Sequence, residues 1–139
     1  MTERALHFAT VRRLRRLGVL FLHPANGGKR LISEAVALSQ MGVQAGVPDL
    51  LILTPLPRRP AARGLAIELK GPRGRVSPEQ HRWLACLRSA GWLAEVCSSI
   101  DQTNALLAET GLSDGEPGPA PVAHGLDAAE APDAAPEID

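Results

Sequence analysis

An α/β fold, a central mixed sheet flanked by helices, is what this sequence predicts, and three observations carry the prediction. Segments with apolar residues at helical spacing alternate with short apolar runs, in the order helix, strand, helix, strand, strand, helix, strand, helix. The central runs, Leu50-Leu51-Ile52-Leu53 and Leu65-Ala66-Ile67, are branched, short and bounded by Pro or Gly, as buried strands are. Hydrophobic residues make up 45% of the 139, which suits one domain with a modest core.

The first helix spans Thr2 to Leu17. Thr2 caps it and Glu3 lies in its first turn, where a carboxylate complements the helix dipole. Leu6, Ala9, Thr10, Leu14 and Leu17 share one face, and Arg12, Arg13, Arg15 and Arg16 lie mostly on the other. Those arginines read either as a solvated face or as phosphate contacts. Gly18 stops the helix, and Val19-Leu20-Phe21-Leu22 is a strand. His23, next to Pro24, reads as a strand-end residue rather than a ligand. The loop that follows, through Asn26-Gly27-Gly28-Lys29-Arg30, has turn chemistry; it is an ordinary Asn-Gly turn or a place where backbone amides approach a phosphate.

Leu31 to Met41 is a second helix, with Ile32, Ala35, Val36 and Leu38 partly at core spacing. Gly42 ends it. Gly46 and Pro48 then bend the chain; Pro48 holds Val47 extended and aims Asp49. Thr54 to Gly64, with Pro55, Pro57, Pro60, Arg58, Arg59 and Arg63, is a stiff basic hairpin loop, either an exposed connector or a clamp. Leu65 to Lys70 is the next strand, followed by a basic loop carrying Arg73 and Arg75. Ser77-Pro78-Glu79-Gln80 opens a helix: Ser77 caps, Pro78 takes the first position and Gln80 completes a capping box. That helix runs to about Ala90, with Gln80, Trp83, Leu84 and Leu87 on one face and Trp83 directed to the core. Trp92 to Cys97 is a strand, and Ser99 caps a last helix from Ile100 to about Glu109.

Side chains alternate along a strand, so Glu68 and Lys70 point to one side and Leu69 to the other. If the Asp49 and Glu68 strands pair as a hairpin, two carboxylates and one ammonium converge at the lip of an apolar sheet. Hard divalent cations take such oxygen ligands. The alternative is a buried ion pair of Glu68 with Lys70 and no further role.

Composition narrows the partners. Residues 1–112 carry all 15 Lys and Arg and eight acids, a charge of +7; residues 113–139 carry the remaining seven acids and no base. A basic body suits a polyanion. The segment 113–139 is Gly, Pro, Ala and acid, and is expected to be a disordered tail that competes with a polyanion for the basic face. Aromatic residues are only 3%, against a stacking surface for single strands. No apolar run is long enough to span a membrane, and the polar N-terminus does not read as a signal peptide. Cys86 and Cys97 lack paired spacing and are expected to be buried thiols in a reducing cytoplasm.

Gly46-Val47-Pro48-Asp49, then Glu68-Leu69-Lys70 with Gly71 to Ser77, then Gln80, resembles the PD-(D/E)xK nuclease superfamily, and within it the virus-type replication-repair nuclease (VRR-NUC) domain. Asn26 to Arg30 and Met41-Gly42-Val43 fit the same likeness, which runs from about Glu3 to about Leu107. The resemblance implies a restriction-endonuclease-like core similar to Holliday-junction resolvases, occupying residues 1–112. It implies Mg²⁺ or Mn²⁺ held by Asp49, Glu68 and the Leu69 carbonyl, with Glu3 assisting. Lys70 would orient or deprotonate a water, and Gln80 would support that water or Lys70. Asn26, Gly27, Gly28, Lys29, Arg30, Arg73 and Arg75 would contact nucleic acid. The implied function is a structure-selective DNA endonuclease, a homodimer acting on branched DNA, with no small-molecule cofactor. The rival readings are a catalytically silent DNA-binding accessory protein and a nuclease for flaps or nicks. Many members carry Gln four residues after the helical acid; this chain carries His7 there.

Overall fold

The computed structural model describes residues 1–24 and 31–114. Helix α1 (Glu3–Leu17) is followed by β1 (Phe21–Leu22), α2 (Ile32–Gln40), β2 (Leu50–Ile52), β3 (Leu65–Leu69), α3 (Pro78–Ser89), β4 (Leu93–Cys97) and α4 (Ile100–Thr110). The sheet order is β1-β2-β3-β4; the first two pairings are antiparallel and β3–β4 is parallel, so the sheet is mixed as expected.

Local chemistry places the elements. The Thr2 side chain accepts from the Ala5 N–H at 3.1 Å, and Gly18 closes α1 in the left-handed region at φ 68°. Alternation along β3 divides the core. Leu65, Ile67 and Leu69 pack against Leu6 and Leu14 of α1 and Leu107 of α4, all buried. Ala66 faces the other way, with Leu84 of α3 and Ala94 of β4. Each of those leucines contributes about 2 kcal/mol on burial. Both faces of β3 are covered, and Glu68 is buried beside Ala66's layer at 1% exposure.

Several expectations are corrected. The first strand is only Phe21–Leu22, although the Leu53 N–H still donates to the Leu20 carbonyl at 2.8 Å. Helix α2 forms but buries no residue: Ile32 is 85% exposed and Val36 52%, so its apolar spacing does not meet the core. Trp83 is half-buried and lies outside the packed cluster, whose aromatic member is Trp92. Cys97 is buried, but Cys86 is exposed, because it sits on α3 away from the Leu84 side. The Thr54–Gly64 loop is anchored: Leu56 is buried, the Arg58 N–H donates to the Thr110 carbonyl at 3.0 Å, and Arg59 pairs with Glu109 at 2.8 Å. The tail expectation, beyond Asp114, and the loop Asn26-Gly27-Gly28-Lys29-Arg30 lie outside the described residues. Among the described residues, no helix is long and apolar enough to cross a membrane.

One corner holds the site to the core. Gly46 has φ +90°, and a Cβ there would lie 2.6 Å from the Glu79 carbonyl carbon. The Gly46–Asp49 corner therefore rests on the first turn of α3. Gly46→Ala combines backbone strain with overlap and is expected to cost about 3 kcal/mol of stability. Urea unfolding reads it; an unchanged midpoint would mean that the corner can leave α3 freely.

Candidate active site

The β2–β3 register pairs Leu50 with Ile67, which sets Asp49 opposite Glu68 on the same face. The Leu69 N–H donates to Asp49 Oδ2 at 2.7 Å, so the carboxylate is latched to the strand that carries Glu68. The conditional hairpin of the sequence is thus the hairpin of the structure.

Lys70 follows the last residue of β3, and its N–H donates to the Cys97 carbonyl at 3.0 Å, which extends the parallel ladder by one bond. Its Nζ lies 3.3 Å from Glu68 Oε1, and its side chain is 11% exposed. The capping box of α3 is present: the Ser77 N–H donates to Gln80 Oε1 at 2.8 Å and the Gln80 N–H to Ser77 Oγ at 3.2 Å. The same Gln80 side chain donates from Nε2 to Glu68 Oε1 at 2.8 Å. Gln80 is therefore both a helix cap and a direct partner of Glu68, and its side-chain donor goes to the carboxylate rather than to Lys70.

Glu68 Oε1 has two donors, while Oε2 is buried without a partner. Burial pushes the Glu68 carboxyl up from 4.5 to about 7; Asp49's charge adds to the rise, and Lys70 opposes it. Glu3 heads α1 over the loop after Lys70, where the Gly71 N–H donates to its Oε2 at 3.4 Å. It adds further negative charge around Glu68. Arg73 and Arg75 are exposed on the loop beyond.

Histidines complete the lip. The His7 and His23 rings meet edge to face, 4.5 Å between centroids. His23 Nδ1 lies 2.6 Å from the Asp49 carbonyl oxygen. Burial lowers the His7 pKa below its ordinary 6.5, and the charge of His23 lowers it further. Ligating atoms of His7, His23 and Asp49 all lie within 4.8 Å of one another, a group that includes neither Glu3 nor Glu68. Nothing local in the sequence announced this. The one signal was His7 placed four residues after Glu3, on the same side of the helix.

Residues 5–101 match the VRR-NUC domain. The chain belongs to the VRR-NUC family. A VRR_NUC domain protein of known structure superposes with TM-score 0.64 and 25% identity, covering 79% of this chain and 88% of that one. The fold is accordingly of the PD-(D/E)xK type. Among curated relatives, a Fanconi-associated nuclease 1 homolog from Oryza sativa subsp. japonica is 37% identical over 73 residues, 51% of this chain. A Fanconi-associated nuclease 1 homolog from Caenorhabditis elegans is 36% identical over 77 residues, 55% of this chain. This VRR-NUC chain spans only 8% of the length of either relative. A nuclease-family core is thus established.

Proposed function

We propose that this VRR-NUC chain is a divalent-metal-dependent endonuclease that hydrolyses DNA phosphodiester bonds, with branched, Holliday-junction-like DNA as substrate and a homodimer as the working form. The observation that carries the reading is the buried, unpartnered Oε2 of Glu68 beside the latched Asp49. Two carboxylates with one bound ammonium leave a net negative pocket, and an Mg²⁺ or Mn²⁺ ion fits that donor set. Asp49, Glu68 and the Leu69 carbonyl would hold it, with Glu3 assisting. The ion supplies charge stabilisation to a phosphate oxygen and lowers the pKa of a water.

The chain's own residues do the rest. Lys70 brings a positive charge into a nearly dry site, where it offsets charge that develops on the phosphate and holds the attacking water. Gln80 fixes the Glu68 rotamer through Oε1. Asp49 is fixed by the Leu69 amide. Arg73 and Arg75, with Lys29 and Arg30, would contact the backbone of the substrate. The names of the curated relatives support nuclease activity. The exposed apolar residues of α2, Ile32 and Val36, support a second copy as their cover, and a twofold dimer matches the two scissile strands of a four-way junction.

The test is cleavage of a labelled four-way junction beside linear duplex and flap controls, in Mg²⁺, Mn²⁺ and EDTA. Paired nicks that need the metal and disappear in Asp49→Ala are expected. Junction binding without cleavage in any metal would sink the nuclease reading and leave an accessory DNA-binding protein of the same fold.

A further inference from the structure

The His7–His23–Asp49 group shares Asp49 with the carboxylate pair. The carboxylate pair offers oxygen ligands only, whereas this group offers two imidazoles and one carboxylate. Imidazole suits borderline transition ions, while oxygen-only sets suit Mg²⁺ and Ca²⁺.

Its geometry is built rather than incidental. The three side chains come from separate elements: His7 from α1, His23 from just beyond β1, and Asp49 from just before β2. Leu6 and Thr10, both buried, bracket His7 and lock its helix to the core. The Phe21–Ile52 pairing fixes where His23 emerges relative to Asp49.

The hydrogen bonding also points to a ligand. A carbonyl oxygen only accepts, so the 2.6 Å contact to the Asp49 carbonyl requires His23 Nδ1 to carry the hydrogen. That leaves the lone pair on Nε2. A ring nitrogen that donates to a backbone carbonyl while the other stays open is the usual state of a metal-ligating histidine. Asp49 is held through Oδ2 by the Leu69 amide, which leaves Oδ1 for a second bond. Donor atoms on one ion sit roughly 3–4 Å apart when metal–ligand bonds are about 2.1 Å. One ligating atom from each of the three residues lies within 4.8 Å of the others, close to that spacing. Three protein ligands leave open coordination positions, and a cleft of about 470 Å³ lined by Glu3, Arg4, His7, Phe8 and His23 opens there. At its edge the Arg4 guanidinium lies over the Phe8 ring, 5.3 Å from the centroid.

We propose that His7, His23 Nε2 and Asp49 Oδ1 form a nitrogen-ligated site for a divalent transition-metal ion of the Zn²⁺ or Co²⁺ type, next to the carboxylate site and sharing Asp49 with it. Metal binding here does not rest on the nuclease reading; only its use in catalysis would.

The test is titration of the full chain with Co²⁺ alone, without nucleic acid, followed by visible d–d absorption. One absorbing site is expected to persist in excess Mg²⁺, which fills the carboxylate site, and to be displaced by Zn²⁺. His7→Gln and His23→Gln are each expected to weaken it by about tenfold or more, whereas Glu68→Gln keeps it. His7 is half-buried, so thermal unfolding accompanies that variant; His23 is exposed, and its variant decides the matter if His7→Gln fails to fold. Absence of Co²⁺ absorption in the unmodified chain, or absorption that His23→Gln leaves intact, overturns the site and makes the ring pair a packing contact. Either result stands whether or not junctions are cleaved, so the two readings fail separately.

Discussion

Replacing Lys70 by alanine is expected to slow DNA cleavage by about a thousandfold or more and to leave DNA binding within about twofold. The ammonium is the positive side chain bonded to Glu68, and it is nearly enclosed. Its removal has two effects that need separating. One is loss of the charge that faces the phosphate. The other is loss of Glu68's counter-ion, which holds the carboxyl down against burial and Asp49. Losing that counter-ion raises the Glu68 pKa further, so a metal ion must compete with a proton over a wider range of pH. Single-turnover rates at pH 8.5 with saturating Mg²⁺ remove the proton competition. A defect that persists there belongs to Lys70's own part in the chemistry. Recovery to within tenfold would reduce Lys70 to the buried ion pair that its bond to Glu68 already shows.

Without divalent ions, stability is expected to fall as pH rises from about 4.5 to about 7, the interval between the ordinary and the folded pKa of Glu68. The sign follows from proton counting. In that interval the folded state keeps a proton that the unfolded state has released, so raising the pH favours unfolding. Above the folded pKa the loss is complete, on the order of 3 kcal/mol. Glu68→Gln keeps an acceptor for Gln80 and has no charge to bury, so it should flatten the slope and be the more stable chain at pH 8. Mg²⁺ should reverse the trend in the unmodified chain, stabilising it more at pH 8 than at pH 5.5, and its binding near pH 6 should release a proton. Thermal melts at the two pH values, with and without Mg²⁺, decide it. Equal slopes for the unmodified and Glu68→Gln chains would mean that Glu68 ionises as an ordinary surface acid.

The site and the fold were legible to different depths in the chain. Asp49, Glu68 and Lys70 could be placed because two-residue alternation and a hairpin are short-range rules, and the register confirms the placement. Ser77 and Gln80 announced a capping box, which is formed, but its second bond to Glu68 is tertiary and has no local pattern. Apolar spacing foretold α2 without telling whether anything covers it; periodicity describes a helix's face and not its neighbour. The anchoring of Arg58 and Arg59 on the end of α4 likewise depends on residues that are distant in sequence. The meeting of His7 and His23 at Asp49 had no pattern in the sequence. Each looks ordinary in its own segment; the β1–β2 pairing brings His23 to Asp49, and the packing of α1 on β3 brings His7 there.

Gln80 gives the molecule a mechanical property. A single amide group secures both the opening turn of α3 and the Glu68 carboxylate. Fraying of that turn and disassembly of the site are then one event instead of two. Helix starts are ordinarily the softest part of a helix and open far more readily than the core behind them. Here the lifetime of the assembled carboxylate is set by how often one turn of helix unwinds, and anything that tightens Glu68 also lengthens the life of that turn.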